Sequence, residues 1–111
     1  MSAGAFAPLP QAAVSANRLV LHAQLVERGA LRYTPAGLPA FDLGLKHESQ
    51  VLEDGLPRRV SLEIRAVAIG EITRRVGALE LGDSGEFAGF LSAGRNGRGL
   101  LFHVTALDPA G

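Results

Sequence analysis

Apolar residues at every second position, in five separate runs, are the feature that most narrows what this chain can become. In RLVLHAQLV, Leu19, Leu21, Ala23 and Leu25 share one face, with Arg18, Val20, His22, Gln24 and Val26 on the other, because successive side chains of a strand project to opposite sides. Phe41, Leu43 and Leu45 alternate with Asp42, Gly44 and Lys46 in a second run, and Val60, Leu62, Ile64 and Ala66 alternate with Ser61, Glu63 and Arg65 in a third. The fourth carries Phe87, Gly89 and Leu91, and the fifth is GLLFHVTALD. Glycines inside the fourth predict a tight bend or a close backbone approach.

One stretch breaks the period of two. Ile72, Val76 and Leu79 lie four and three residues apart in GEITRRVGAL, which predicts one short amphipathic helical turn with Arg74 and Arg75 on its exposed side. Turn chemistry separates the runs at Thr34-Pro35-Ala36-Gly37, at Asp54-Gly55 before Pro57, and at Gly94-Arg95-Asn96-Gly97-Arg98-Gly99. Asn96-Gly97 is a hairpin signal because both residue types tolerate positive φ.

Three strands, a short helix and two strands in a chain of 111 residues leave room for one domain with one core. So small an antiparallel sheet must curl or close to hide its edges. The predicted fold class is therefore all-β, a five-stranded OB-fold barrel with one short helix between strands three and four. Residues 17–109 are expected to form it. Residues 1–16, interrupted by Pro8 and Pro10, lack the positive start and unbroken apolar core of a secretory signal and read as a flexible tail.

Lys+Arg and Asp+Glu both number 11, so no overall charge draws the chain to a polyanion, and any such site must be a local patch. The absence of cysteine excludes a disulfide, a thiol nucleophile and a cysteinyl metal site, and it suits a soluble protein of the reducing cytoplasm. No run approaches the roughly 18 apolar residues of a membrane span. His22, His47 and His103 fall on three different strands without ligand spacing, so no metal is expected. The GRNGRG segment lacks the GK[ST] ending of a phosphate loop and leads into a strand. With no nucleophile elbow and no carboxylate pair, no enzyme is expected.

The cationic residues carry more. Arg28, Arg32 beside Tyr33, Arg58-Arg59, Arg74-Arg75, and Arg95 with Arg98 are clustered. On an OB barrel the loop after strand one and the loop between strands four and five flank one binding face, so Arg32, Tyr33, Arg95 and Arg98 can converge there. The plainer alternative is that hairpin arginines are merely solvated. Tyr33 and Phe102 are candidates to stack on bases, although Phe102 serves equally well as a core residue.

Over residues 17 to 108 the chain resembles the primosomal replication protein N (PriB) family, bacterial relatives of single-stranded DNA-binding protein. The resemblance rests on Asn17-Arg18-Leu19-Val20-Leu21, Thr34-Pro35-Ala36-Gly37-Leu38-Pro39, Leu45-Lys46-His47-Glu48-Ser49, Gly89-Phe90-Leu91-Ser92 and Asn96-Gly97. It implies a homodimer of OB folds that binds single-stranded DNA without catalysis or cofactor during replication restart. It also implies contact with the primosomal helicase PriA and, in some bacteria, with a helicase-loading protein. Basic positions of the family fall on Arg32, Arg58 and Arg95. The full candidate interface is Arg32, Tyr33, Arg58, Arg59, Arg95 and Arg98.

The departures point to weak binding. Glu48 stands where the family often has arginine, Ser61 where a tryptophan can stack, Leu56 where the preceding loop can carry an aromatic, and Leu100 at a basic position of strand five. A carboxylate in place of a cation reverses a local interaction, and a lost stacking aromatic removes about 1–3 kcal/mol per base. Glu48 and Ser61 also leave open a protein-interaction adaptor on the same fold, with vestigial DNA binding. Strand one, with Val20 and Val26 on its second face, is the edge expected to pair across a two-fold axis.

Overall fold

The structure, a computed structural model, describes residues 15–110. The flexible tail expected over residues 1–16 lies, from 1 to 14, outside the described residues. The elements in chain order are β1 Leu19–Arg28, β2 Arg32–Tyr33, β3 Pro39–Glu53, β4 Leu56–Ile69, α1 Ile72–Gly77, β5 Ser84–Ala93 and β6 Leu100–Pro109. The alternating runs become the five long strands.

Counting β2 places the helix between β4 and β5, not between strands three and four. The physical reason is the Thr34–Gly37 turn, closed by the Gly37 amide donating to the Thr34 carbonyl at 2.8 Å. It folds Arg32 and Tyr33 back against Ala40 and Pro39 as a two-residue strand, too short to show a period.

Closure follows from β1 serving two partners. It pairs antiparallel with β5 from Leu19 to Gln24 and with β3 from Gln24 to Arg28, with a register shift between Leu25 and Glu27. On the far side β4 runs parallel to β6 over Ala66, Val67 and Ala68. The enclosed face holds Leu25, Leu43, Leu45, Phe87, Phe102 and Val104, with Val76 of α1 plugging the end. Burying each large apolar side chain stabilises by about 1.5–3 kcal/mol, so the alternation is enough to decide which face turns inward. Phe102 is fully buried, which resolves its two readings in favour of the core.

Gly89 makes the closure sterically possible. It sits at the register shift between β5 and β6, where a Cβ would overlap the backbone carbonyl oxygen of His103. The close approach predicted for the fourth run is thus real, and it is made by backbone against backbone.

The helix is held from outside by Arg28. Its Nη1 donates to the carbonyls of Val76 at 3.1 Å and Leu79 at 2.6 Å, while the guanidinium lies 5.7 Å from the Phe41 ring centroid. A cation among the last carbonyls of a helix satisfies orphan acceptors and complements the dipole. Arg74 and Arg75 face solvent, as the helical spacing predicts.

β3 and β4 stay in register from Ala40 opposite Ile69 out to Glu53 opposite Leu56, and residues 50–59 are all exposed. The result is a hairpin arm reaching beyond the barrel. Its tip is the two-residue turn Asp54-Gly55, both at positive φ (53° and 78°), which matches the right-handed twist of the flanking strands.

Candidate nucleic-acid interface

An open groove of about 750 Å³ lies on the outer barrel wall, between the base of the arm and the hairpin joining β5 to β6. Alternation builds its floor. Asp42 of β3 is the register partner of Val67 on β4, and Gly44 is the partner of Arg65, so Asp42, Val67 and Arg65 project from the same outward face. Arg32 enters from β2, and Arg95 and Arg98 enter from the β5–β6 hairpin. Leu62, Leu100 and Leu101 supply apolar wall.

Three of the sequence-predicted residues, Arg32, Arg95 and Arg98, therefore meet in one groove. Three do not. Tyr33 is 64% exposed but follows Arg32 in the same strand and so projects to the opposite side. Arg58 and Arg59 lie on the arm, where Arg58 donates to Glu53 at 3.0 Å and Arg59 is the register partner of Gln50. Arg65 and Asp42 line the groove without having been expected to. The available signal was their place on the polar faces of the second and third alternating runs.

Asp42 organises the electrostatics. Its carboxylate accepts from Arg32 through Nε at 2.8 Å and through Nη2 at 3.0 Å, and Nη2 of Arg95 stands 3.9 Å away. The hydrogen bonds from Arg32 hold the Asp42 carboxyl below its ordinary range against the opposing effect of partial burial, with the charges of Arg32, Arg95 and Arg65 adding to the effect. The same contact raises the pKa of Arg32. Arg65 donates to Glu27 at 2.8 Å. Arg98 has no ion-pair partner among the described residues. Four guanidinium groups thus face the carboxylates of Asp42, Glu63 and Glu27, and a small positive excess remains.

The hairpin that presents Arg95 and Arg98 differs from the expected Asn-Gly turn. The Gly97 amide donates to the Gly94 carbonyl at 2.9 Å, which puts Arg95 and Asn96 at the centre of the turn. Gly97 takes positive φ (72°) while Asn96 does not. The longer loop lets its two arginines reach the groove.

The departures from the family pattern also find a place. Glu48 and Ser61 are register partners across β3 and β4, and Glu48 lies 3.8 Å from Lys46. Leu56 is exposed at the arm tip beside Val51 and Leu52, and Leu100 is exposed on the groove wall. His47 Nδ1 donates to the His22 carbonyl at 2.6 Å, and His103 stacks on Phe90 with ring centroids 4.6 Å apart. Among the described residues no three His, Cys, Asp or Glu side chains gather as a metal site, and no helix is long and apolar enough to cross a membrane.

Comparison with known proteins gives this geometry a lineage. A family model described as "Another single-strand binding protein family" matches residues 17–106. Replication restart protein PriB of Bordetella pertussis is 49% identical over 79 residues, covering 71% of this chain and 74% of that protein. The structure of the PriB protein of Ralstonia solanacearum superposes with a TM-score of 0.80 at 33% identity, covering 87% of this chain and all of that one. The single-stranded DNA binding protein of Thermus aquaticus gives a TM-score of 0.67 at 27% identity, covering 86% of this chain and 50% of its own. The barrel, the family match and these extended similarities agree, and the chain belongs to the PriB replication restart proteins of this single-strand binding family.

Proposed function

We propose that the groove binds the phosphate backbone of single-stranded DNA, weakly and with little sequence preference, as part of replication restart. The observation that carries the reading is the convergence of Arg32, Arg65, Arg95 and Arg98 on one groove of an otherwise charge-balanced chain. Guanidinium groups neutralise phosphates regardless of base, and the apolar walls formed by Leu62, Leu100 and Leu101 offer nonspecific contact to base faces. Arg58, Arg59 and Tyr33 extend the path beyond the groove along the arm and β2. The reading includes no catalysis and no cofactor.

The protein acts as a homodimer in the cytoplasm and bridges single-stranded DNA to the primosomal helicase PriA, and in some settings to a helicase-loading protein. Support for the dimer comes from β1. Beyond its pairing with β5, no strand pairs with the other edge of Leu19–Ala23 among the described residues, and Val20 is exposed on that stretch, with Val26 exposed further along β1. Open strand edges favour pairing with another chain.

A second reading, a protein-interaction adaptor with vestigial DNA binding, is favoured by the exposed Val51, Leu52 and Leu56 on the arm. Fluorescence anisotropy of a labelled oligothymidylate separates the two. The first reading expects binding at low salt whose logarithm falls with log salt at a slope of only a few units, about 0.7 for each phosphate neutralised on a single strand. No binding at low salt, with retained affinity for PriA, selects the adaptor.

A further inference from the structure

Asp42, at the head of the arginine-lined groove, has the wrong sign for a polyanion. It places both carboxylate oxygens on the Nε–Nη2 edge of Arg32, at 2.8 and 3.0 Å, and draws Arg95 to 3.9 Å. That edge is the planar fork with which a guanidinium grips either a carboxylate or a phosphate, and it cannot hold both in the same plane. The pair is not sealed in the protein. The side chains of Arg32 and Asp42 are 37% and 38% exposed, so a phosphate oxygen can reach the site that a carboxylate oxygen fills.

We infer that Asp42 is an internal competitor of the phosphate backbone, occupying the fork of Arg32 and neutralising part of Arg95, and so lowering the affinity and salt dependence of the groove. The inference rests on the single-stranded DNA reading above. While the carboxylate is in place, Arg32 offers a phosphate only its remaining Nη protons, and the Asp42–Arg32–Arg95 group carries one net positive charge instead of two. The depressed carboxyl pKa accords with this, since a carboxylate so well held stays ionised and keeps competing. A purely structural role, pinning β2 against β3, makes the opposite prediction, because loosening Arg32 would then weaken any contact it makes.

The test is oligothymidylate anisotropy on the full chain across a salt series, with wild type, Asp42→Asn, Asp42→Ser, Arg32→Ala and the Arg32→Ala/Asp42→Asn double variant. Both Asp42 variants are expected to bind about three- to tenfold more tightly at low salt, with a log–log slope steeper by about 0.7, the value for one more neutralised phosphate on a single strand. In the Arg32→Ala background the gain from Asp42→Asn should fall below about twofold, because the freed fork is missing. Unchanged or weaker binding by both Asp42 variants overturns the inference. So does a gain that survives in full without Arg32, which would reflect only the general field. Wild-type binding accompanied by either result leaves the single-stranded DNA reading standing, whereas no binding by wild type or any Asp42 variant sinks that reading and the inference together.

Discussion

The carboxylate of Asp42 and the guanidinium of Arg32, ten residues apart in sequence, meet through two parallel hydrogen bonds of 2.8 and 3.0 Å at the head of the arginine-lined groove. The contact joins β2 to β3 and sets how much positive charge the groove presents. It also explains why a chain with equal numbers of acids and bases can carry a basic site of only modest strength.

The two hairpin arginines are the cations most available to a ligand. Arg95 touches Asp42 only at 3.9 Å and Arg98 has no ion-pair partner among the described residues. Replacing both, Arg95→Ala with Arg98→Ala, is expected to weaken oligonucleotide binding about tenfold at low salt, equally for thymidylate, adenylate and mixed sequences, and to flatten the salt slope by about 1.4 for two phosphates. Anisotropy titrations check this. Unchanged affinity would remove the hairpin from the site.

Asp42 also links stability to pH. Its folded pKa lies below the ordinary carboxyl value, so the stabilisation it contributes is complete above that ordinary value and is lost as pH falls through the folded one. The charged groups facing it are Arg32 of β2, Arg65 of β4 and Arg95 of the hairpin. Urea midpoints for wild type and Asp42→Asn should therefore converge as pH falls below the ordinary carboxyl value. The gap is expected to be small, because both partners are more than a third exposed. A gap that widened on acidification would contradict the assignment.

Gly89 tolerates no side chain. A Cβ there would overlap the His103 backbone carbonyl, and neither strand can retreat without opening the β5–β6 ladder. Gly89→Ala is expected to destabilise by about 3 kcal/mol, the upper part of the overpacking range. Gly97→Ala in the open hairpin should cost only about 1 kcal/mol, for its positive φ. Thermal or urea denaturation measures both, and near-equal effects would contradict the proposed close approach.

Arg28 closes the end of the barrel through the helix. Its donated bonds to the carbonyls of Val76 and Leu79 are charge-assisted, and Arg28→Ala is expected to lower stability by about 1–2 kcal/mol while leaving oligonucleotide affinity unchanged. Arg28→Lys should recover part of the loss. Denaturation read alongside anisotropy separates this scaffold role from any contact with DNA.

Most of the scaffold is written locally. Alternation in runs such as Leu19-Leu21-Ala23-Leu25 names the buried face because period and burial are the same physical fact in a half-exposed sheet, and the spacing of Ile72, Val76 and Leu79 marks the helix for the same reason. The groove is legible only in part. Arg32, Arg95 and Arg98 stand out as charges beside turns. Arg65 and Asp42 do not, because their importance depends on strand register, which brings residues 23 apart in sequence to neighbouring places. Tyr33 lies outside the groove for the converse reason, since adjacency to Arg32 in sequence means opposite sides in a strand. The two-residue β2 is set by the tertiary pairing of Tyr33 with Pro39, and the hairpin geometry by a turn centred one residue earlier than Asn96-Gly97 suggests.

Backbone amide chemical-shift mapping during titration with a short oligothymidylate tests the location of the interface most directly. The expected result is a contiguous set of perturbed amides on the outer wall, around Arg32, Asp42, Arg65 and the Gly94–Gly99 hairpin, fading toward the arm. Perturbations centred instead on α1 and the Arg74-Arg75 surface, with the groove silent, would contradict it.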